Sequence, residues 1–187
     1  MNHWENFVKE CMACQKCGLN QNRKNVVIGR GVPRPAPVLF VGEGPGEQED
    51  LQGEAFVGRA GKLLDLLLEA LEFKQEHYYI ANVVKCRPPN NRIPTLEETE
   101  ACLPWLRYQT KAIKPAIIVC LGATAAKAII DKDAKITKLR GTWIEKGKLY
   151  IMPTFHPSAV LRDIRKRGDF YMDLKKVRER LSKIHPE

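Results

Sequence analysis

The sequence predicts an α/β fold of three layers, in which helices cover both faces of a central, mainly parallel four-stranded sheet. Four short apolar runs, each ending in polar or glycine-rich residues, alternate along the chain with longer helical patterns. Such alternation is typical of a parallel sheet that is buried on both faces. Because the chain has 187 residues, we expect a single domain over residues 1–187.

The predicted strands are the four apolar runs, at residues 38–41, 79–84, 117–121 and 149–152. Three prolines at 33, 35 and 37 predict an extended approach to the first strand. Five helices are predicted, at residues 4–14, 62–72, 95–111, 123–130 and 170–184. The third begins with Thr95 and Glu98, whose spacing is that of a capping box, in which each side chain satisfies a backbone donor near the other.

The composition narrows the class of partner. Against 22 Asp and Glu the chain carries 31 Lys and Arg, a formal net charge of +9, which favours a polyanion such as nucleic acid. Solvated surface lysines would give the same charge, so charge alone leaves both interpretations open. No run approaches the ~20 apolar residues of a membrane helix, and the first ten residues lack the layout of a secretory signal. We expect a cytoplasmic, nucleoid-associated protein without a membrane partner.

The strand tips hold the informative residues, because ligands of parallel α/β folds bind where strands end. These tips are the glycine-rich segment 42–50, Asn82, residues 122–124 and residues 156–158. The segment 42–50 matches neither a phosphate loop nor the dinucleotide fingerprint, although its glycines would let the backbone approach a flat ligand. Taken singly, each tip also has a structural interpretation: a tight turn before a helix, a hydrogen-bonded loop or a structural histidine.

The cysteines form a metal-site pattern. The chain has six of them, at 11, 14, 17, 86, 102 and 120. In a cytosolic chain such clustering predicts metal binding rather than disulfides. Cys14 and Cys17 form a C-x-x-C pair that Cys86 and Cys102 complete, and four thiolates suit zinc as well as an iron–sulfur cluster. Cys11 is a rival ligand, and Cys120, inside an apolar strand, is predicted to be a core residue.

In combination these motifs resemble a known family. The segments 42–50, 56–61, 86–89 and 156–158, together with Asn82, occur in the order seen in family 4 (thermophile-type) uracil-DNA glycosylases, and the resemblance spans residues 14–174. It implies an enzyme that flips uracil out of DNA, hydrolyses the N-glycosidic bond and leaves an abasic site and free uracil, in base excision repair. It also implies a 4Fe–4S cluster on an N-terminal cluster-binding segment, with Cys14, Cys17, Cys86 and Cys102 as ligands.

The resemblance assigns six positions to uracil binding: Gly42, Gly44, Glu47, Phe56, Asn82 and Ser158. Phe56 would stack on the base. The Asn82 carboxamide would accept from uracil N3–H and donate to O4, a pattern that cytosine reverses. Thymine differs by a methyl group at C5, and the position of the tyrosine that blocks it in other glycosylases is Gly46 here. Glu47 resembles the family's substitute for that tyrosine.

The resemblance also assigns catalytic roles. His156 would donate a hydrogen bond to uracil O2, where negative charge develops as the bond to C1′ breaks. Many relatives place a water-activating Asp two residues after the first glycine of this motif, and this chain has Gly44 there. Glu43 is therefore the first candidate to position or activate water, and Glu47 is the second.

DNA contacts are expected from the segment that follows the histidine motif, at Leu161, Arg162, Arg165 and Arg167. Either Leu161 or Arg162 would wedge into the gap left by the flipped base. Three further cations are candidate phosphate contacts: Lys85, Arg87 and Arg92. For each single cation, a solvated side chain is the competing interpretation.

Three rival functions stay open. An electron-transfer or metal-dependent regulatory protein would explain the cysteines but not Asn82 and His156. A non-catalytic DNA-binding module would explain the charge alone. Some cluster-containing relatives bind DNA covalently through a histidine in the loop after the third cysteine, and residues 87–95 contain no histidine, so turnover is expected. We expect a monomer, whereas a sliding-clamp partner and the preference for single- or double-stranded DNA are left undecided.

Overall fold

A five-stranded sheet forms the centre of the computed structural model, which describes residues 3–185. The strands are β1 (Val38–Gly42), β2 (Tyr78–Asn82), β3 (Ile117–Leu121), β4 (Ile144–Lys146) and β5 (Leu149–Thr154). Their order is β2-β1-β3-β5-β4, and every pairing is parallel except that between β4 and β5. The predicted α/β class and mainly parallel sheet are confirmed.

The sheet has five strands where four were predicted. The additional strand, β4, has three residues and lies at the edge, where its side chains are exposed or half-buried. Because edge strands bury little surface, β4 shows no apolar run. It pairs with β5 as an antiparallel hairpin across residues 147–148, and Gly147 supplies the positive φ of 62° at the turn.

Helices pack on both faces of the sheet. They are α1 (His3–Met12), α2 (Glu47–Gln52), α3 (Arg59–Ala70), α4 (Leu96–Ile113), α5 (Ala123–Ile129), α6 (Ile136–Leu139), α7 (Pro157–Arg162) and α8 (Arg167–Ile184). The five predicted helices correspond to α1, α3, α4, α5 and α8. The other three span four to six residues, which is too short for a helical period to be read from sequence.

Side chains alternate between two apolar layers along β1. Leu39 and Val41 pack with residues of α1, α4 and α5, while Val38 and Phe40 pack with residues of α3 and α8. This division produces the predicted three-layer arrangement. The capping box of α4 is also present, because Glu98 N–H donates to Thr95 Oγ1 at 3.2 Å and Thr95 N–H donates to Glu98 Oε2 at 2.8 Å.

The strand register brings the chemically informative residues to one edge of the sheet. Gly42 at the end of β1 lies opposite Asn82 at the end of β2, and Leu121 of β3 lies opposite Thr154 of β5. The segments that follow these strands therefore meet in one place. None of the helices within residues 3–185 is long and apolar enough to cross a membrane.

Candidate active site and a cavity lined by thiols

A cavity of about 540 Å³ opens at the carboxyl ends of the parallel strands. Seven of the predicted site residues line it: Glu43, Gly44, Phe56, Asn82, His156, Ser158 and Arg162. Sequence reasoning did not assign a role to Glu49, Asn91 or Ile93, which also line it. Residues that are far apart in sequence thus share one concave site, as expected for ligand binding at the strand ends of an α/β sheet.

Asn82 presents an unpaired acceptor within this cavity. Its side chain is 2 % exposed, and its Oδ1 atom has no hydrogen-bond partner among the described residues. A buried polar atom without a partner costs about 1–3 kcal/mol, so this acceptor is suited to receive a hydrogen bond from a ligand in the cavity.

Phe56 lines the same cavity as Asn82, and its backbone conformation is rare for a non-glycine residue. Its φ is +57°, its ring is 5 % exposed, and its centroid is 5.7 Å from that of His156. A Cβ on Gly42 would lie 2.5 Å from Phe56 Cζ and 2.5 Å from Asn82 Oδ1. Because Gly42 has no side chain, the Phe56 ring and the Asn82 carboxamide can approach each other. A residue with a strained backbone conformation, such as Phe56, is often found at a functional site.

His156 has a defined tautomer. Its Nδ1 accepts the backbone N–H of Ser158 at 3.1 Å and lies 2.7 Å from the Ser158 hydroxyl. Because Nδ1 is an acceptor, the neutral ring carries its proton on Nε2. Burial, together with the charge of Arg162, lowers the pKa of His156 to about 4. The imidazole is therefore a neutral hydrogen-bond donor through Nε2 at physiological pH.

Glu43 is held by a partner that sequence reasoning did not assign. The Thr124 hydroxyl, in the first turn of α5, donates to Glu43 Oε2. Glu43 lines the cavity and is half-buried, so one carboxylate oxygen is engaged and the group is fixed in orientation. The sequence did contain a signal for this contact, because Thr124 follows the buried strand β3 closely and therefore lies at the strand ends.

The structure places the predicted residue Glu47 outside the cavity. Its side chain is 64 % exposed and lies 4.0 Å from Arg87 Nη1. Two positions further along α2, Glu49 lines the cavity and accepts backbone N–H groups of Gly46 at 3.1 Å and Gly58 at 2.7 Å. Two helical positions differ by about 200° around the axis, which is why one glutamate faces solvent and the other faces inward.

The cations of α7 and of the segment that follows it differ in whether the protein already pairs them. Arg162 lines the cavity, and Leu161 is 46 % exposed beside it. Arg165 is engaged with Asp163, to which its Nε donates at 2.9 Å and its Nη2 at 3.1 Å, and these hydrogen bonds lower the pKa of Asp163. Arg167 is exposed. Part of the predicted positive surface is therefore neutralised within the protein.

The three additional cations proposed for phosphate contact are less available. Lys85 is 1 % exposed, so the prediction that it contacts phosphate is wrong. Arg92 makes a bidentate pair with Glu98 at 2.8 and 2.7 Å. Arg87 donates to Asn91 Oδ1 at 2.8 Å. Two of these cations therefore stabilise the loop between Cys86 and α4.

A second, smaller cavity is lined by five thiols. These are Cys11, Cys14, Cys17, Cys86 and Cys102, with Arg23, Lys85 and Trp105 beside them. All are free thiols, and Cys120 is buried in β3 away from them, as predicted. Within residues 3–185 no group of three or more His, Cys, Asp or Glu side chains is placed to hold a metal ion. The four predicted ligands surround one cavity together with Cys11.

Three N–H groups point at sulfur atoms of this cavity. Trp105 Nε1 donates to Cys14 Sγ at 3.3 Å, Arg23 Nη1 to Cys86 Sγ at 3.2 Å, and the Lys85 backbone N–H to Cys102 Sγ at 3.3 Å. A neutral thiol is a weak acceptor, whereas a thiolate accepts strongly, so these three N–H groups are suited to sulfur atoms that carry negative charge.

Cys11 differs from the other four cysteines of this cavity. It has no exposed surface and lies in the apolar layer of α1, where burial raises its pKa to about 12.

Comparisons with known proteins agree with this geometry. A sequence model of the Uracil DNA glycosylase superfamily matches residues 28–181. The chain is 52 % identical over 158 residues to the type-4 uracil-DNA glycosylase of Thermotoga maritima, which covers 83 % of this chain and 80 % of that protein. It is 42 % identical over 197 residues to the type-4 uracil-DNA glycosylase of Archaeoglobus fulgidus, covering 100 % of this chain and 97 % of that protein.

A third relative, the type-4 uracil-DNA glycosylase of Sulfurisphaera tokodaii, is 45 % identical over 188 residues, which is 96 % of this chain and 85 % of that protein. The residues matched by the superfamily model include every strand and all the residues that line the larger cavity. This chain belongs to the type-4 uracil-DNA glycosylase family, within the uracil-DNA glycosylase superfamily.

Proposed function

We propose that this protein is a DNA glycosylase that excises uracil from DNA, leaving an abasic site and free uracil for the repair pathway to process. The unpaired, buried Oδ1 atom of Asn82 carries the proposal. It lies in a cavity with an aromatic ring on one side and a neutral imidazole donor nearby. Because a base within a duplex cannot reach such a cavity, the uracil must be flipped into it.

The base is recognised through its Watson–Crick edge. Uracil N3–H would donate to Asn82 Oδ1, and the Asn82 amide would donate to uracil O4, while Phe56 stacks on the base. Cytosine has an acceptor at N3 and a donor at N4, so it would leave the buried amide with two mismatched groups. Mismatched buried polar groups are a strong basis for rejection.

Bond cleavage depends on stabilising the leaving group. As the bond between C1′ and N1 breaks, negative charge develops on uracil O2, and the Nε2–H of His156 would donate to it. The neutral imidazole carries its proton on Nε2, so it can donate this hydrogen bond at physiological pH. Glu43, held by Thr124, would orient the water that attacks C1′.

Exclusion of thymine is assigned to the segment that Glu49 fixes, because the exposed side chain of Glu47 does not line the cavity. Glu49 joins the backbone of Gly46 to that of Gly58, so it ties the glycine-rich loop to the start of α3. A rigid loop at the edge of the cavity would leave no space for the C5 methyl group. The position of Glu49 in the cavity lining supports this role.

We propose that the thiol cavity holds a 4Fe–4S cluster, with Cys14, Cys17, Cys86 and Cys102 as ligands. The donor set fits, because four cysteines line one cavity and three of their sulfur atoms accept N–H hydrogen bonds. When bound, the cluster would cross-link four thiolates and so supply structural support. Its ligands would tie residues 14–17 to the loop that follows β2, next to the base-reading residue.

The test is incubation of the purified protein with a uracil-containing oligonucleotide, followed by alkaline cleavage of abasic sites. We expect cleavage at uracil and none with the matched thymine-containing or cytosine-containing strand. An electron-transfer protein or a non-catalytic DNA-binding protein would leave the uracil strand intact, and that result would contradict the proposal. The same sample should be brown, because iron–thiolate charge transfer absorbs visible light, whereas zinc gives no colour.

A further inference from the structure

Lys85 is the buried charged group that the proposed mechanism does not use. It lies between Asn82 and Cys86 in sequence and lines the thiol cavity with 1 % of its surface exposed. Its Nζ donates to the backbone carbonyl of Asn82 at 2.6 Å, and its backbone N–H donates to Cys102 Sγ at 3.3 Å. One residue thus contacts both the base-reading strand end and a proposed cluster ligand.

The surroundings of Lys85 contain thiols where a buried ammonium would ordinarily have a carboxylate. Burying an ammonium is unfavourable unless an opposite charge compensates it. No carboxylate in the described part of the chain forms an ion pair with Lys85, and the thiols of Cys11, Cys86 and Cys102 line the same cavity. Thiolates that bind iron would provide this compensation permanently.

The contact with Asn82 matters because the Asn82 carboxamide oxygen is not held by the protein. Its Oδ1 has no partner within the described residues, so the position of this side chain depends on how firmly the Asn82 backbone is held. The ammonium of Lys85 holds that backbone at the carbonyl, and a hydrogen bond to a charged donor is among the stronger ones in proteins.

We propose that Lys85 is a positioning residue that links the cluster site to base recognition. Its ammonium balances the negative charge of the thiolate-bound cluster, and the same ammonium fixes the backbone of Asn82 at the edge of the uracil cavity. The inference rests on the proposed function. It means that the cluster site contacts the base-recognising residue Asn82 through Lys85, in addition to supporting the fold.

The test compares Lys85→Met, which keeps the side-chain volume and removes the charge, with Lys148→Met. Lys148 is exposed in the turn between β4 and β5 and lines neither cavity. We expect Lys85→Met to shift the midpoint potential of the cluster to more negative values, because removing a nearby cation disfavours the more negative, reduced state. Single-turnover excision of uracil should slow about tenfold or more, while Lys148→Met should match the parent in both measurements.

Two further variants separate charge from hydrogen bonding. Lys85→Gln keeps a donor for the Asn82 carbonyl without the charge, so it should show the shifted potential with a smaller loss of excision rate. Lys85→Arg keeps the charge and should stay near the parent potential. Removing one partner of a buried charge pair is destabilising because the other charge is left uncompensated, so loss of iron from the Met and Gln variants but not from the Arg variant would also support the proposal.

Two results would overturn the inference. One is a parental potential and excision rate in both neutral variants. The other is equal loss of iron from all three variants, which would show that only the packing of Lys85 matters. A parent protein that contains no iron or releases no uracil would instead contradict the proposed function, so the two failures are distinguishable.

Discussion

Asn82 and His156 present opposite hydrogen-bonding characters to the same cavity. Asn82 offers an unpaired acceptor, whereas His156, whose Nδ1 is engaged by Ser158, offers a donor at Nε2. Uracil has a donor at N3 and acceptors at O2 and O4, so the two residues complement different atoms of one base. Replacing each residue should therefore impair the enzyme in a different way.

Asn82→Asp should abolish recognition of the Watson–Crick edge of uracil. The carboxylate offers acceptors at both positions, so uracil O4 would face another acceptor in a buried site. We expect excision of uracil to fall by about 10²-fold or more, with any remaining activity shifted towards cytosine. Single-turnover assays on matched uracil and cytosine strands measure this. Asn6→Asp, which makes the same change at an exposed position of α1, is the control and should retain the parental rate.

His156→Ala should slow the chemical step and spare binding. The donor at Nε2 acts mainly as charge develops on O2, so its loss removes transition-state stabilisation. We expect excision to slow by about 10²–10³-fold, while the affinity for uracil-containing DNA stays close to that of the parent. Excision at the parental rate would show that His156 has only a structural role as the N-cap of α7.

The same histidine makes stability depend on pH in a defined window. In the unfolded chain a histidine gains a proton near pH 6.5, but in the folded protein the pKa of His156 is about 4. The unfolded state therefore binds more protons between these values, and this contribution to the unfolding free energy is complete above pH 6.5 and lost as the pH falls towards 4. Urea unfolding at pH 7.5 and pH 5 should show a smaller decrease for His156→Gln than for the parent.

At the scale of elements, α7 and the start of α8 carry the residues expected to meet DNA. Arg162 lies at the cavity and Arg167 is exposed, whereas Arg165 is already paired with Asp163. Each phosphate contact contributes about 0.9 to the slope of log affinity against log salt. We expect Arg162→Ala and Arg167→Ala each to reduce this slope by about that amount, and Arg165→Ala to reduce it less. An unchanged slope in all three would place the DNA on another face.

At the scale of the whole molecule, the thiol cavity joins the N-terminal segment to the rest of the fold. Replacing Cys14, Cys17, Cys86 or Cys102 with Ala should lower iron content and thermal stability, because each removes one proposed ligand of the cluster. Cys120→Ala, in the buried strand β3, should keep its iron. Iron analysis and thermal unfolding measure both effects. Loss of iron from Cys11→Ala with retention in Cys14→Ala would show that Cys11 is the ligand.

Much of this architecture was predictable because its signals are local. The buried strands β1, β2, β3 and β5 are apolar runs, and the capping box of α4 is a spacing of three residues. The chemistry of the strand tips follows from which residues end each strand, since parallel strands bring their carboxyl ends together. Asn82 and His156 could therefore be assigned to one site before their geometry was known.

Other properties were decided only by the tertiary structure, because they depend on the surroundings of a residue. Glu47 and Glu49 are chemically identical, and their roles differ because α2 turns one towards solvent and the other towards the cavity. Lys85 resembles a surface cation in sequence, yet the packing of the thiol cavity buries it. The neutral state of His156 arises from burial and from the backbone N–H of Ser158. The sequence by itself determined which chemical groups this protein has at its strand ends and cysteine positions, whereas burial and orientation, which arise from contacts between distant segments, decided how those groups act.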